Sequence, residues 1–91
     1  MASGVRLNPE ELEQFISALQ NFNRQTEELM KDMNAKFDRL GDTWQDAAYQ
    51  RFGDDYMLTM ARLQQFIDES DAHLPRLRER AARARELLEL R

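Results

Sequence analysis

Cysteine is absent from the 91 residues, histidine occurs once, proline twice and glycine three times. The missing cysteine excludes disulfides and thiolate metal sites and leaves the redox compartment open. Three scattered glycines form no phosphate-cradling loop, and a lone His73 allows a catalytic triad only in principle. No apolar run approaches about 18 residues, and no basic segment precedes an apolar one near the N-terminus. Neither a membrane span nor a classical signal peptide is therefore expected. Strand signals are nearly missing too. With 33% charged residues and few breakers, the chain reads as all-α and as one small domain with a thin core.

What is present is periodic. Asn8 suits an N-cap, with Pro9 at the first helical position and Glu11 three residues after the cap. Apolar or near-apolar residues then fall at Leu12, Phe15, Leu19, Phe22, Thr26, Leu29, Met33 and Leu40 in steps of three and four, Lys36 alone breaking the rhythm. Gly41 is placed to end the helix in a left-handed conformation, and Asp42 or Thr43 to cap the next one. The second helix repeats the pattern at Tyr49, Phe52, Tyr56, Thr59, Leu63, Phe66, Ser70, His73, Leu77, Ala84 and Leu87. So short a connection, 41–44, predicts an antiparallel hairpin in which Leu29 meets Tyr56, Phe22 meets Leu63 and Leu12 meets His73. Pro75 predicts a kink or break. The expected organisation is an arm over 1–8, a hairpin over 9–75 and a basic amphipathic helical extension over 76–91.

A second apolar row runs beside the first. It holds Ile16, Asn23, Met30 and Phe37 on the first helix and Gly53, Met60, Ile67, Leu74, Ala81 and Leu88 on the second. A hairpin closed on the first row would leave this row exposed, so Ile16, Met30, Phe37, Gly53, Met60, Ile67 and Leu74 are the expected dimer interface. Two such hairpins would close a four-helix bundle. Gly53 fits a close backbone approach, since a helix-interior glycine costs about 1 kcal/mol relative to alanine.

Charge is uneven. Residues 76–91 are net +3 against −7 for the rest. Arg76, Arg78, Arg80, Arg83 and Arg85 can serve a further partner, but Glu79, Glu86 and Glu89 are interleaved and aromatics are absent. An acidic protein surface therefore fits this tail better than nucleic acid or a membrane. His73, beside Glu69, reads as packed or ion-paired. Adjacent acids such as Asp54 and Asp55 or Asp68 and Glu69 point apart along a helix and read as solvated, and Met30, Met33, Met57 and Met60 read as packing. No catalytic residue, cofactor or metal is expected.

The Asn-Pro-Glu-Glu-Leu start, the heptad helix, and a turn with Leu40, Trp44 and, eight residues on, Phe52 resemble the Trp-x-Gly proteins of about one hundred residues. These are the early-secreted-antigen-like substrates of type VII secretion. The resemblance spans roughly residues 5–75. It implies a hairpin joined at the Trp turn, homo- or heterodimers with a similar hairpin, export without a cleavable signal, and for some members an adaptor or chaperone role toward larger effectors. Two residue patterns depart from it. Asp46 stands where the family has glycine, and the export motif, a Tyr with an acid four residues later, is missing: Tyr49 is followed by Gly53 and Tyr56 by Met60. With Gly41 from the helix end, Trp44 and Asp46 are the candidate turn residues, and both a secreted adaptor and a cytoplasmic adaptor or scaffold of the same fold stay open.

Overall fold

The computed structural model describes residues 6–90; the first five residues of the expected arm and the terminal Arg91 lie outside them. Two helices form an antiparallel hairpin, α1 over Pro9–Leu40 and α2 over Ala47–Glu89. Asn8 caps α1 from an extended backbone, its Oδ1 accepting the Glu10 and Glu11 N–H groups at 2.9 and 3.2 Å. Two of the helix's orphan donors are satisfied there, and such a cap contributes about 1 kcal/mol.

The turn differs from the expectation at both ends. Gly41 is right-handed (φ −64°, ψ −18°), and no described residue has positive φ. Its N–H bonds the Phe37 carbonyl at 3.2 Å, and the Thr43 and Trp44 N–H groups both reach the Leu40 carbonyl. Glycine leaves room here for a side chain: a Cβ would stand 2.5 Å from Tyr49 Oη and 3.0 Å from its Cζ, so the Tyr49 ring would have to shift. The cap of α2 is Asp46, not Asp42 or Thr43. Its Oδ1 accepts the Ala48 and Tyr49 N–H groups at 2.9 and 3.1 Å. The connection therefore covers residues 41–46, and α2 starts later than predicted.

That delay shifts the register. Tyr56 bonds Asn34 instead of packing on Leu29, Gln64 reaches Glu27, Asn23 reaches Ser70 and Asp71, and Glu13 meets Arg85. Nothing overshoots. The stretch expected as a separate extension continues α2 and covers the start of α1. Nor does Pro75 break the helix, which runs through it for 43 residues. An interior proline loses one backbone bond and clashes with the preceding turn, about 3 kcal/mol or more. Packing on either side offsets this, because Leu74, Ala81 and Ile16 form one buried cluster flanked by Leu12, Leu19 and Leu77.

The largest correction concerns which row is inside. Ile16, Asn23 and Met30 of α1 are buried against Tyr56, Ile67, Leu74 and Ala81 of α2, while Phe37, Gly53 and Met60 are half-buried. The residues expected to face a second chain thus face each other within one. Of the row expected inside, Phe15, Phe22, Leu29, Met33, Leu40, Phe52 and Phe66 stand outside, and Leu12, Leu19, Leu63 and Leu77 lie between the two faces. Each helix carries an apolar arc wide enough for two neighbours, and spacing alone does not say which edge meets the intrachain partner. Size decides it. Asn23, Gly53 and Ala81 are small enough for close helix approach, whereas opposed phenylalanines would hold the axes apart.

Candidate interaction surface

At the turn end five aromatic rings are built into one another. The Trp44 ring meets Tyr49 edge-on at 5.3 Å, Tyr49 stacks on Phe37 at 5.0 Å, and Phe37 stacks on Tyr56 at 4.5 Å, with Phe52 6.0 Å from both Phe37 and Tyr56. Such pairs add about 0.5–1.5 kcal/mol each beyond their burial. Trp44 is half-buried and packs on Tyr49 at this end of the hairpin. The Tyr49 hydroxyl donates to the Phe37 carbonyl at 3.4 Å and that of Tyr56 to Asn34 Oδ1 at 2.6 Å. Burial, with the Asp38 charge behind it, raises the Tyr56 phenol above its ordinary pKa. Asp46 is held below the usual carboxylate range by the Tyr49 N–H first, then by the Trp44 side chain and the Ala48 N–H. The three turn residues singled out thus act together: Gly41 makes room for Tyr49, Trp44 packs on it, and Asp46 caps it.

This cluster sets Leu40 and Phe52 side by side, and with Met33, Lys36, Phe37 and Tyr56 they line an apolar groove of about 240 Å³. The groove opens one end of a long surface. From it Leu29, Phe22 and Phe15 follow along α1 and Phe66 along α2, where Phe22 and Phe66 meet edge-on at 6.3 Å. All seven large side chains are 42–63% exposed. At 1.5 Å per residue the row from Phe15 to Leu40 is about 38 Å long. Contiguous exposed apolar stripes are the kind of surface that interaction sites use.

The opposite flank is polar and internally bonded. Asn23, 2% exposed, donates through Nδ2 to Ser70 Oγ and Asp71 Oδ1, each at 2.8 Å, and its Oδ1 has no partner among the described residues. Gln64 donates to Glu27 at 3.3 Å, Arg78 to Gln20 at 3.2 Å and Arg85 Nε to Glu13 at 3.3 Å. The Arg85 guanidinium holds Glu13 below its ordinary pKa. Near the turn this flank has a groove of about 460 Å³ lined by Met30, Met57, Met60 and their polar neighbours. Of the tail arginines, Arg78 and Arg85 are tied to α1 and Arg83 to Glu79, while Arg76 and Arg80 have no carboxylate within ion-pair distance among the described residues. The tail therefore does not stand free as a basic arm. His73, expected as packed or ion-paired, is exposed and has no ion pair among the described residues.

Two features escaped the sequence reading. The Asn23, Ser70 and Asp71 layer was hidden because Asn23 and Ser70 fall on different apolar rows and meet only in the shifted register. The cap at Asp46 was obscured because Tyr49, three residues on, is not a capping-box acid or amide. Among the described residues no three His, Asp or Glu side chains gather as a metal site, and no helix is long and apolar enough to cross a membrane.

A family model described as proteins of 100 residues with WXG matches residues 4–86. Comparison with curated proteins and with solved structures returns no match.

Proposed function

Because the chain belongs to the WXG100 family, we propose that it works as a paired helical hairpin and not as an enzyme. Two hairpins close into a four-helix bundle, which serves a type VII-like secretion route as an exported or export-associated adaptor or chaperone. The observation that carries this reading is the exposed row from Phe15 to Leu40 with Phe52 and Phe66 beside it. A bundle helix needs an apolar arc for two neighbours, and a lone hairpin satisfies only one of them. The partner face is then the phenylalanine face, and Ile16, Met30, Met60, Ile67 and Leu74 serve the hairpin itself.

Asp46 in place of the family's glycine leaves this fold intact, because aspartate and glycine both occupy N-cap positions and aspartate ranks higher. The absent Tyr-to-acid pattern favours a second reading for location: the hairpin stays in the cell as an adaptor, or leaves only with a partner that carries the signal. A tagged chain, followed in the culture filtrate of a host with its secretion ATPase and of the ATPase deletion, separates the two. ATPase-dependent appearance in the filtrate supports export, and retention with a co-purifying hairpin supports the adaptor. Retention as an unpaired monomer overturns both.

A further inference from the structure

Resting on the adaptor reading, we infer that the methionine groove at the turn end of the polar flank docks a basic amphipathic helix of a client protein. One apolar side chain enters the groove, and Lys or Arg residues on either side of it meet carboxylates at the two ends. The groove holds about 460 Å³. Its most buried lining residues are Met30 and Tyr56, both 8% exposed, whereas Met57 is 64% exposed. Closing the hairpin uses Met30 and leaves Met57 in water. Methionine is unbranched and polarizable, so a wall made of it adjusts to the apolar side chain that fills the groove. The buried end asks for nothing polar, because the Tyr56 hydroxyl already donates to Asn34 Oδ1.

Charge selects the occupant. Asp38 lines the turn end of the groove, and at the other end the Gln64 amide donates to Glu27 at 3.3 Å and to Asp68 at 3.0 Å. The ion pairs among the described residues are Arg83 with Glu79 and Arg85 with Glu13, so none of these three carboxylates has a cation against it there. Of the cations one turn from Glu27 on α1, Arg24 donates to Asn21 instead, and Lys31 lies outside ion-pair distance. Asp38 and Glu27 are about 16 Å apart along α1, so cations about three turns apart on a docked helix reach both ends with an apolar residue between them. A third helix is the shape that fits. Two further hollows of about 220 and 210 Å³ follow the groove along the same flank between α1 and α2, beside Leu74 and then beside Ile16 and Ala81. The same carboxylates repel nucleic acid and anionic membranes. A hairpin paired through its phenylalanine face keeps this flank open.

The probe is a fluorescent helical peptide of about 18 residues, built from leucine and lysine and titrated into the full chain. Methyl-labelled methionine gives five NMR signals, of which Met33 lies in the groove on the phenylalanine face and serves as the internal control. The peptide should move Met30, Met57 and Met60 together and leave Met33 in place. Binding read by anisotropy should weaken about tenfold in Asp38→Lys and about threefold in Met57→Gln, and Asp38→Lys should bind a leucine-glutamate peptide more tightly than the parent does. Both side chains are exposed, so the variants should keep the parent's helical signal. Equal affinity for a peptide with serine in place of leucine reduces the binding to bare charge and overturns the groove. Equal affinity of the parent for the glutamate peptide overturns the charge match, and no binding, or shifts at Met33 alone, overturns the site. Pairing through the phenylalanine face moves Met33 and not the other three, so this inference and the paired-hairpin reading fail on different signals.

Discussion

The two long faces of this hairpin have almost the same sequence signature and opposite fates. One row, Ile16, Asn23, Met30 and Phe37 against Met60, Ile67, Leu74 and Ala81, is sealed between α1 and α2 or nearly so. The other, carrying most of the phenylalanines, lies open although it is the more hydrophobic of the two. Hydrophobicity alone therefore does not choose the internal seam. The small residues choose it, because the row with glycine, alanine and asparagine lets two helix axes come close, and the bulky row is left for a neighbour approaching at a bundle's wider spacing.

The sharpest way to break that contrast is to make the same kind of change on each face. Ile67 is fully buried, and Ile67→Ala should cost about 2–5 kcal/mol, a large fraction of what so small a domain can hold. Thermal melting followed by circular dichroism should show that loss at every protein concentration. Phe22→Ala with Phe66→Ala should instead leave the helical signal nearly unchanged at concentrations where the parent is monomeric. The pair should weaken association about 10- to 100-fold, read by sedimentation. If the phenylalanine pair unfolds the chain while the isoleucine change does not, the assignment of the two faces is reversed.

How much of this was legible follows from where the signals sit. The first cap, the length of α1 up to Leu40 and the antiparallel return are local, and Asn8, Pro9 and the three-four rhythm announce them. Register and facing are not local. They hang on six connecting residues and on whether Asp42 or Asp46 caps α2, an offset of one turn that moves every contact down the hairpin. Pro75 misled for a related reason: its penalty is intrinsic, but the packing of Leu74 and Ala81 that overrides it exists only once the register is known. The candidate surface was read as a row and assigned to the wrong side, since a wide apolar arc has two edges.

A finer probe is the polar layer within the sealed face. Asn23 makes two bonds to consecutive residues of α2, and its own oxygen has no partner among the described residues. Asn23→Ala should cost about 1–3 kcal/mol by removing two hydrogen bonds and opening a void, since Ser70 keeps the Phe66 carbonyl and Asp71 stays in water. Asn23→Leu should be as stable as the parent or more so, yet should lose the single register, because a buried amide bonded to two fixed partners penalises every slipped pairing. Amide exchange with NMR reads this as multiple or broadened resonances along α2. A single sharp set of peaks for Asn23→Leu would show that size matching alone holds the register.

The smallest expected effect lies at the turn, where both faces begin. Asp46 is fully exposed, so its contribution comes from capping two N–H groups and not from burial. Its pKa is lowered in the folded state, so its stabilisation is present in full above the ordinary aspartate range and fades as pH falls through the lowered value. Asp46→Ala should therefore melt below the parent at pH 7, with the gap narrowing at pH 2, and Asp46→Gly should fall between the two because glycine is itself an accepted cap residue. Since α2 must start at residue 47 for Tyr49 to reach Phe37 and Trp44, the change should also weaken the near-ultraviolet signal of the aromatic cluster before it affects the far end of the hairpin. A gap between Asp46→Ala and the parent that stays constant down to pH 2 would mean that the carboxylate's charge plays no part, and that the turn is held by the rings alone.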